Sequence, residues 1–425
     1  MDNLDQPHTV EQLRNGELTG LTHLTLSEKL TDFPREIFSL AETLEVLDLS
    51  NNLLTDLPAD LSRLTKLRIL FCSNNRFTHL PEGLGVCDSL EMVGFKHNQI
   101  TEVSENSLSE NLRWLILTDN QITKLPEKLG ELYRLEKLML TGNRLTQLPE
   151  SIARCKSLAL LRISANQLTD FPYLLLSLPR LAWLAFSGNP FCEERDEHAD
   201  VQTISSDQLE WGDVLGKGAS GVIFRAAWKA TEENNLITTH DDVAVKVFRG
   251  QVTSDGYPQD ELDACLSVGH HQNIVKPLAK IAEENQSSLI MELIPETFRN
   301  LGQPPTFETC SRDTFTQDQR FSIAEIQNII AQMDSVMAHL KAKRISHGDL
   351  YAHNVLIDPD GRILFGDFGA ASKYDVLPMY QQHGIQRIEQ RAMTHFIEDM
   401  LGLCNDEDKQ TDAYYDLKRR MFNIG

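Results

Sequence analysis

Leucines in the first half of the chain recur in a pattern that is neither helical nor that of a long strand. From about residue 24 the chain repeats L-x-L-x-x-N, as in "LEVLDLSNN", "LEKLMLTGN" and "LALLRISAN". The marker asparagines Asn52, Asn75, Asn98, Asn120, Asn143, Asn166 and Asn189 stand 23 residues apart, except for one step of 22 from Asn98 to Asn120. Lys29 has the same phase one unit earlier, so the pattern makes eight units, seven with the asparagine. Side chains alternate across a strand, which sends both leucines of each L-x-L to one face. One unit cannot bury that face alone, whereas a stack of units can. The asparagine turns the chain, and Leu-Pro at Pro34, Pro58, Pro81, Pro126, Pro149 and Pro172 redirects it into a convex segment. "ITEVSENSLSENL" lacks the proline and predicts a local irregularity; "DQPHTVEQLRNGELTG" and "SGNPFCEE" read as polar capping ends.

This pattern resembles the leucine-rich repeat family over roughly residues 20 to 191. The residues between the inward leucines face out, and one such row reads Val46, Ile69, Met92, Trp114, Lys137, Leu160 and Trp183. Neighbouring rungs about 4.8 Å apart cover one another in part. The alternative is a concave groove for a protein substrate or regulator with Trp114 and Trp183 as anchors, since aromatic residues dominate interface hot spots.

The period stops after Asn189, and an acidic, polar linker is expected over 192–207. Beyond it the pattern changes to strand, glycine loop, strand in "LEWGDVLGKGASGVIFRAAWKA", where Gly216, Gly218 and Gly221 make G-x-G-x-x-G. A dinucleotide-binding version of that motif opens a helix, but Val222 to Phe224 read as a strand, so the loop is expected to cover phosphates between two strands. In "VAVKVF", Lys246 interrupts an apolar strand, which is costly unless a counter-charge or phosphate meets it. Glu261, in the helical stretch "PQDELDACLSVGHHQNIV", is the expected partner, and "SLIMELIPE" reads as a strand into a hinge. Further on, "HGDLYAHNVLIDPDGRILFGDFG" carries Asp349, Asn354 and Asp367 between short strands, after the long amphipathic stretch "SIAEIQNIIAQMDSVMAHLKAKRI".

Taken in order, these motifs resemble the eukaryotic-type, serine/threonine-like protein kinase fold over about residues 208 to 400. The resemblance implies a site for ATP and Mg²⁺. Gly216, Lys217, Gly218, Gly221, Ile223, Ala244, Lys246, Glu261, Met291, Glu292 and Ile294 would surround the nucleotide. Asn354 and Asp367 would be the metal ligands, as hard Mg²⁺ prefers oxygen. Asp349 would orient and deprotonate the acceptor hydroxyl, with Lys246 and Asn354 completing the catalytic set.

Three departures bear on function. Gly348 replaces the family's arginine before Asp349, which implies activity that is constitutive or governed from the repeats. Tyr351 and His353 match neither the serine/threonine nor the tyrosine pattern, and His353 is a candidate to lend positive charge to the moving phosphate. No A-P-E follows "DFGAASKYDVLPMYQQHG", and "HGDL" with a compact end also resembles aminoglycoside and choline kinases. A small-molecule phosphotransferase and a catalytically weak scaffold therefore remain beside the protein kinase reading.

Composition narrows the partners. A formal charge of −22 over 425 residues disfavours nucleic acid, because each phosphate contact calls for Lys or Arg. No long uncharged apolar run predicts a membrane span, and the seven scattered cysteines fit a reducing cytoplasm. The expected fold is an α/β leucine-rich-repeat solenoid over 1–191, followed by an α+β two-lobed protein-kinase-like domain over 208–425. Its N-lobe would span 208–294 and a compact C-lobe 295–425.

Overall fold

The computed structural model describes residues 7–192, 202–218, 221–229, 242–249, 252–283 and 286–423. Two compact units emerge: Met1–Leu181 with Asn189–Phe191, and Ala182–Gly188 with Cys192–Gly425. Residues 193–201 of the expected linker lie outside the described residues.

In the first unit, helix α1 (Val10–Arg14) caps the N-terminal end. Thr9 accepts from the Gln12 amide, and Gln12 reaches back to the Thr9 amide. Strands β1 (His23–Thr25), β2 (Val46–Asp48), β3 (Ile69–Phe71), β4 (Met92–Gly94), β5 (Trp114–Ile116), β6 (Lys137–Met139) and β7 (Leu160–Arg162) then pair in parallel. Their register aligns Val46, Ile69, Met92, Trp114, Lys137 and Leu160 in one row, as the alternation predicts.

Each marker asparagine satisfies backbone groups that the turn leaves unpaired. Asn143 donates to the carbonyls of Leu117 and Leu140, both at 2.9 Å, and accepts from the Ile122 amide at 3.0 Å. The residue before it turns through a left-handed conformation at Asn51, Asn74, His97, Asp119, Gly142 and Ala165. The short unit turns through a 3₁₀ segment at Glu105–Ser107, capped by Ser104 in place of the proline. Ser107 Oγ donates to the Leu80 carbonyl at 2.6 Å, and the chain passes so close that a Cβ at Gly85 would lie 1.8 Å from the Asn106 carbonyl oxygen.

The second unit begins with β8 (Trp183–Ala185) and β9 (Thr203–Ile204). Next come β10 (Leu209–Lys217), β11 (Gly221–Trp228), β12 (Asp242–Phe248), helix α2 (Pro258–Val268), β13 (Pro277–Glu283) and β14 (Gln286–Glu292). They form a sheet in the order β10-β11-β12-β14-β13-β9, over a core including Leu209, Val243, Val245, Ile281 and Ile290.

The remaining elements are mainly helical. Strand β15 (Arg299–Asn300) leads to α3 (Ile323–Ala342), which buries Ile326, Ile329, Ile330, Met333 and Val336, the one-sided spacing of an amphipathic helix. Ser322 and Glu325 cap its start reciprocally. It feeds short strands β16 (Ile345–Ser346), β17 (Val355–Ile357), β18 (Ile363–Phe365) and β19 (Ser372–Lys373), then α4 (Met379–Gly402) and α5 (Asp412–Asn423). No helix among the described residues is long and apolar enough to cross a membrane. All seven cysteines are free thiols.

Candidate active site

Strands β10 and β11 pair antiparallel around the glycine turn, where the Gly218 amide donates to the Gly221 carbonyl at 3.0 Å. The glycines are needed for different reasons. A Cβ at Gly221 would sit 2.2 Å from the Val247 carbonyl oxygen of β12, so the strands can approach only without one; Gly216 and Gly218 face open space. The loop therefore covers a cleft rather than opening a helix.

Lys246 stands mid-strand between Ile223 and Leu289, and its ammonium is ion-paired to Glu261 of α2. The Asp367 carboxylate lies 3.8 Å from the same nitrogen. Burial disfavours the charged ammonium, but Glu261 and Asp367 outweigh it and hold the Lys246 pKa above its usual value. Burial pushes the Glu261 carboxyl up, against the pull of Lys246. Asp367 itself is 60% exposed and sits at φ +56°, a left-handed conformation that aspartate tolerates better than most residues. It directly follows Gly366, whose carbonyl lies 3.1 Å from His347 Nε2; the His347 ring stacks on Phe365 at 4.0 Å.

Asn354 links the remaining two groups. Its amide nitrogen donates to the Asp349 carboxylate at 2.8 Å and to the Asp349 carbonyl at 3.0 Å. Its oxygen is thus the atom left for a cation, and Asn354 and Asp367 line the same cleft, so an oxygen-seeking divalent ion fits the donors present. The cleft is about 990 Å³. Gly216, Lys217, Gly218, Gly221, Ile223, Ala244, Lys246, Glu261, Met291, Glu292 and Ile294 all line it, so every residue expected around a nucleotide comes together there.

The description "protein tyrosine and serine/threonine kinase" belongs to a family model matching residues 209–395. A leucine-rich-repeat model matches residues 110–168 and 133–191, and a two-copy repeat model matches residues 42–82. The chain joins leucine-rich repeats to a protein kinase domain.

Among relatives, fibroblast growth factor receptor 1 of Xenopus laevis is 26% identical over 187 residues, 42% of this chain and 23% of that one. Cyclin-dependent kinase 11.1 of Caenorhabditis elegans is 28% identical over 173 residues, 40% of this chain and 22% of that one. The matches thus span under a quarter of these kinases' own length. A solved leucine-rich-repeat protein of Leptospira interrogans is 31% identical over 41% of this chain and 50% of that one, with a TM-score of 0.35.

The kinase domain also holds residues that sequence reasoning missed. Asp313 binds His353 twice, carboxylate to Nδ1 at 2.6 Å and carboxylate to the backbone amide at 3.1 Å. Burial would lower the His353 pKa, but the Asp313 hydrogen bond and the charges of Asp313, Asp349 and Asp367 raise it overall. Nothing in the aperiodic stretch around "SRDTF" signals this role. Glu389 of α4 accepts from Ser346 Oγ at 2.8 Å and from the amides of His347 and Gly348 at 3.1 and 3.2 Å. Its signal was legible in principle, as a carboxylate on the helix face that buries Ile385, Ile388 and Ala392.

The expectation of an outward row is corrected: Ile69, Met92, Lys137 and Leu160 are buried, and only Val46 and Trp114 are half-buried. Trp183 is 1% exposed and cannot serve as an outward anchor, because its ring stacks on Tyr351 at 4.4 Å. Trp114 is half-buried, with the Lys137 ammonium 4.3 Å from its ring centre.

Proposed function

We propose that this chain is an active protein kinase that moves the γ-phosphate of ATP to a serine or threonine hydroxyl of a protein in the cytoplasm. The observation that carries this reading is the convergence of Lys246, Glu261, Asp367, Asn354 and Asp349 through contacts that leave the cleft open. In this reading Lys246, steadied by Glu261, meets the phosphates, and Asp349 takes the acceptor's proton. Asn354 and Asp367 would hold Mg²⁺, which supplies neutralisation of phosphate charge. His353, backed by Asp313, adds positive charge nearby. The repeats recruit the protein partner, with Val46 and Trp114 the half-buried members of a row whose other residues are buried. Such tethering raises local substrate concentration and suits a kinase whose α4 starts soon after Gly369, leaving little peptide platform. The free thiols support a reducing compartment.

That short segment also favours a second reading, transfer to a small hydroxyl compound. Purified full chain with labelled ATP and Mg²⁺, with and without added protein acceptors, separates the two when followed by phospho-amino-acid analysis. Label on serine or threonine, lost in Asp349→Asn, is the expected result. Equal label in both proteins, or none in either, rejects catalysis by this site.

A further inference from the structure

Gly348 stands where the family resemblance places an arginine, and the space an arginine would need is filled. Its φ is +72°, and a Cβ there would lie 2.7 Å from both the Ala370 and the Leu184 carbonyl oxygens. The segment Ala182–Gly188, part of the same unit as the kinase core, therefore runs against the start of the catalytic loop.

Two further sets of contacts fix it there. The hydroxyl of Ser372, three residues after Gly369, accepts from the amides of Phe186 at 2.9 Å and Ser187 at 3.1 Å. Trp183 Nε1 donates to the Leu350 carbonyl at 3.0 Å, next to Asp349. The Trp183 ring is also an inner member of a column of four stacked rings. His395 of α4 stacks with it at 5.2 Å and Tyr351 at 4.4 Å, and His353 stacks in turn with Tyr351 at 5.1 Å. Both ends of the column are held by adjacent residues, Arg312 at His395 Nδ1 (3.1 Å) and Asp313 at His353 Nδ1 (2.6 Å). The column ends one residue before Asn354, whose amide in turn orients Asp349.

We infer that Trp183 is a positioning residue for catalysis: with Ser372 it clamps the loop from Leu350 to Asn354 in its working form, so that activity does not require a phosphorylated activation segment. The inference rests on the kinase reading for its effect on rate, but the clamp itself is measurable without turnover.

The test uses the full chain and three variants, Trp183→Ala, Trp183→Phe and Ser372→Ala. ATP turnover and autophosphorylation are read together with hydrogen exchange of the amides from Leu350 to Asn354. Trp183→Ala should lower kcat at least about tenfold while KM for ATP stays within about twofold, the signature of a group that aligns the reaction without binding nucleotide. Exchange in the loop should quicken in the same variant. Trp183→Phe, which keeps an aromatic ring in the stack but loses the Nε1 donor and part of the ring area, should recover part of the rate, and Ser372→Ala should also lower it less than Trp183→Ala. Prior phosphatase treatment should leave wild-type kcat unchanged.

The clamp is overturned if Trp183→Ala retains wild-type kcat and loop exchange, or if phosphatase abolishes activity. If Trp183→Ala does not fold, unchanged exchange and kcat in both other variants overturn it equally. A wild type without turnover refutes the kinase reading, and the loop exchange still decides the clamp.

Discussion

In the repeat unit, seven asparagines perform one task, whereas in the kinase unit Lys246, Asn354 and Glu389 each make contacts that no other residue duplicates. Asn52, Asn75, Asn98, Asn120, Asn143, Asn166 and Asn189 each donate to a carbonyl of the preceding turn and accept a backbone amide. Removing one should cost stability locally and leave the other turns intact. Lys246, Asn354 and Glu389 have no such understudy. The difference is between a structure assembled by repetition and one assembled by convergence, and it implies opposite responses to single substitutions.

The largest effect is expected from Lys246→Met. Loss of a positioned charge in a buried site lowers phosphotransfer by about 10²–10³-fold, while the melting temperature moves little. Labelled-ATP turnover beside a thermal scan checks this. A variant that unfolds would mean that the lysine is structural, and the contrast between the units would blur.

Asn143→Ala should do the reverse. Two carbonyls and one amide lose their buried partner, at a cost of about 3 kcal/mol in denaturant unfolding of the repeats, with ATP turnover preserved. The same change at Asn75 should cost about as much; a severalfold difference between the two would argue against interchangeable units.

Gly85→Ala sharpens the comparison inside the repeats. A Cβ 1.8 Å from the Asn106 carbonyl oxygen forces the irregular unit apart, at a cost of about 2 kcal/mol by the same measurement. Gly20→Ala, which meets nothing within 4 Å but has φ +82°, tests backbone strain alone and should cost less. At the bottom of the scale, Arg35→Ala removes a two-pronged pair with Asp60 on an exposed surface, and the unfolding midpoint should not move measurably, especially in high salt.

The same contrast explains what could be read without coordinates. Repetition makes a signal visible seven times over, so the strand row from Val46 to Leu160 and the turns at the asparagines followed from spacing alone. Within the kinase unit, Lys246 was legible as a cation in an apolar strand and Glu261 as the counter-charge it needs, while Asp349, Asn354 and Asp367 stood out as two acids and an amide among short strands, their roles coming from the resemblance. Glu389 and Asp313 were not found, since their partners are 41 and 40 residues away in sequence and only the fold brings them together. Trp183 misled for a related reason. Its phase in the repeat predicted an outward side chain, and a surface supplied by residues from Tyr351 to His395 covers it.

Asn354 offers a final point about chemical economy. In the proposed reading Asn354 would stand between a general base and a cation and have two contradictory duties, to offer a proton to one and a lone pair to the other. A carboxylate performs only the second, and at 2.8 Å from Asp349 two carboxylates would share a proton and make the base a poorer acceptor. An amide is polar at both ends yet carries no net charge, so it can donate to the Asp349 carboxylate without setting a second negative charge beside it. At this position the neutrality of asparagine would matter as much as the oxygen it could offer a metal.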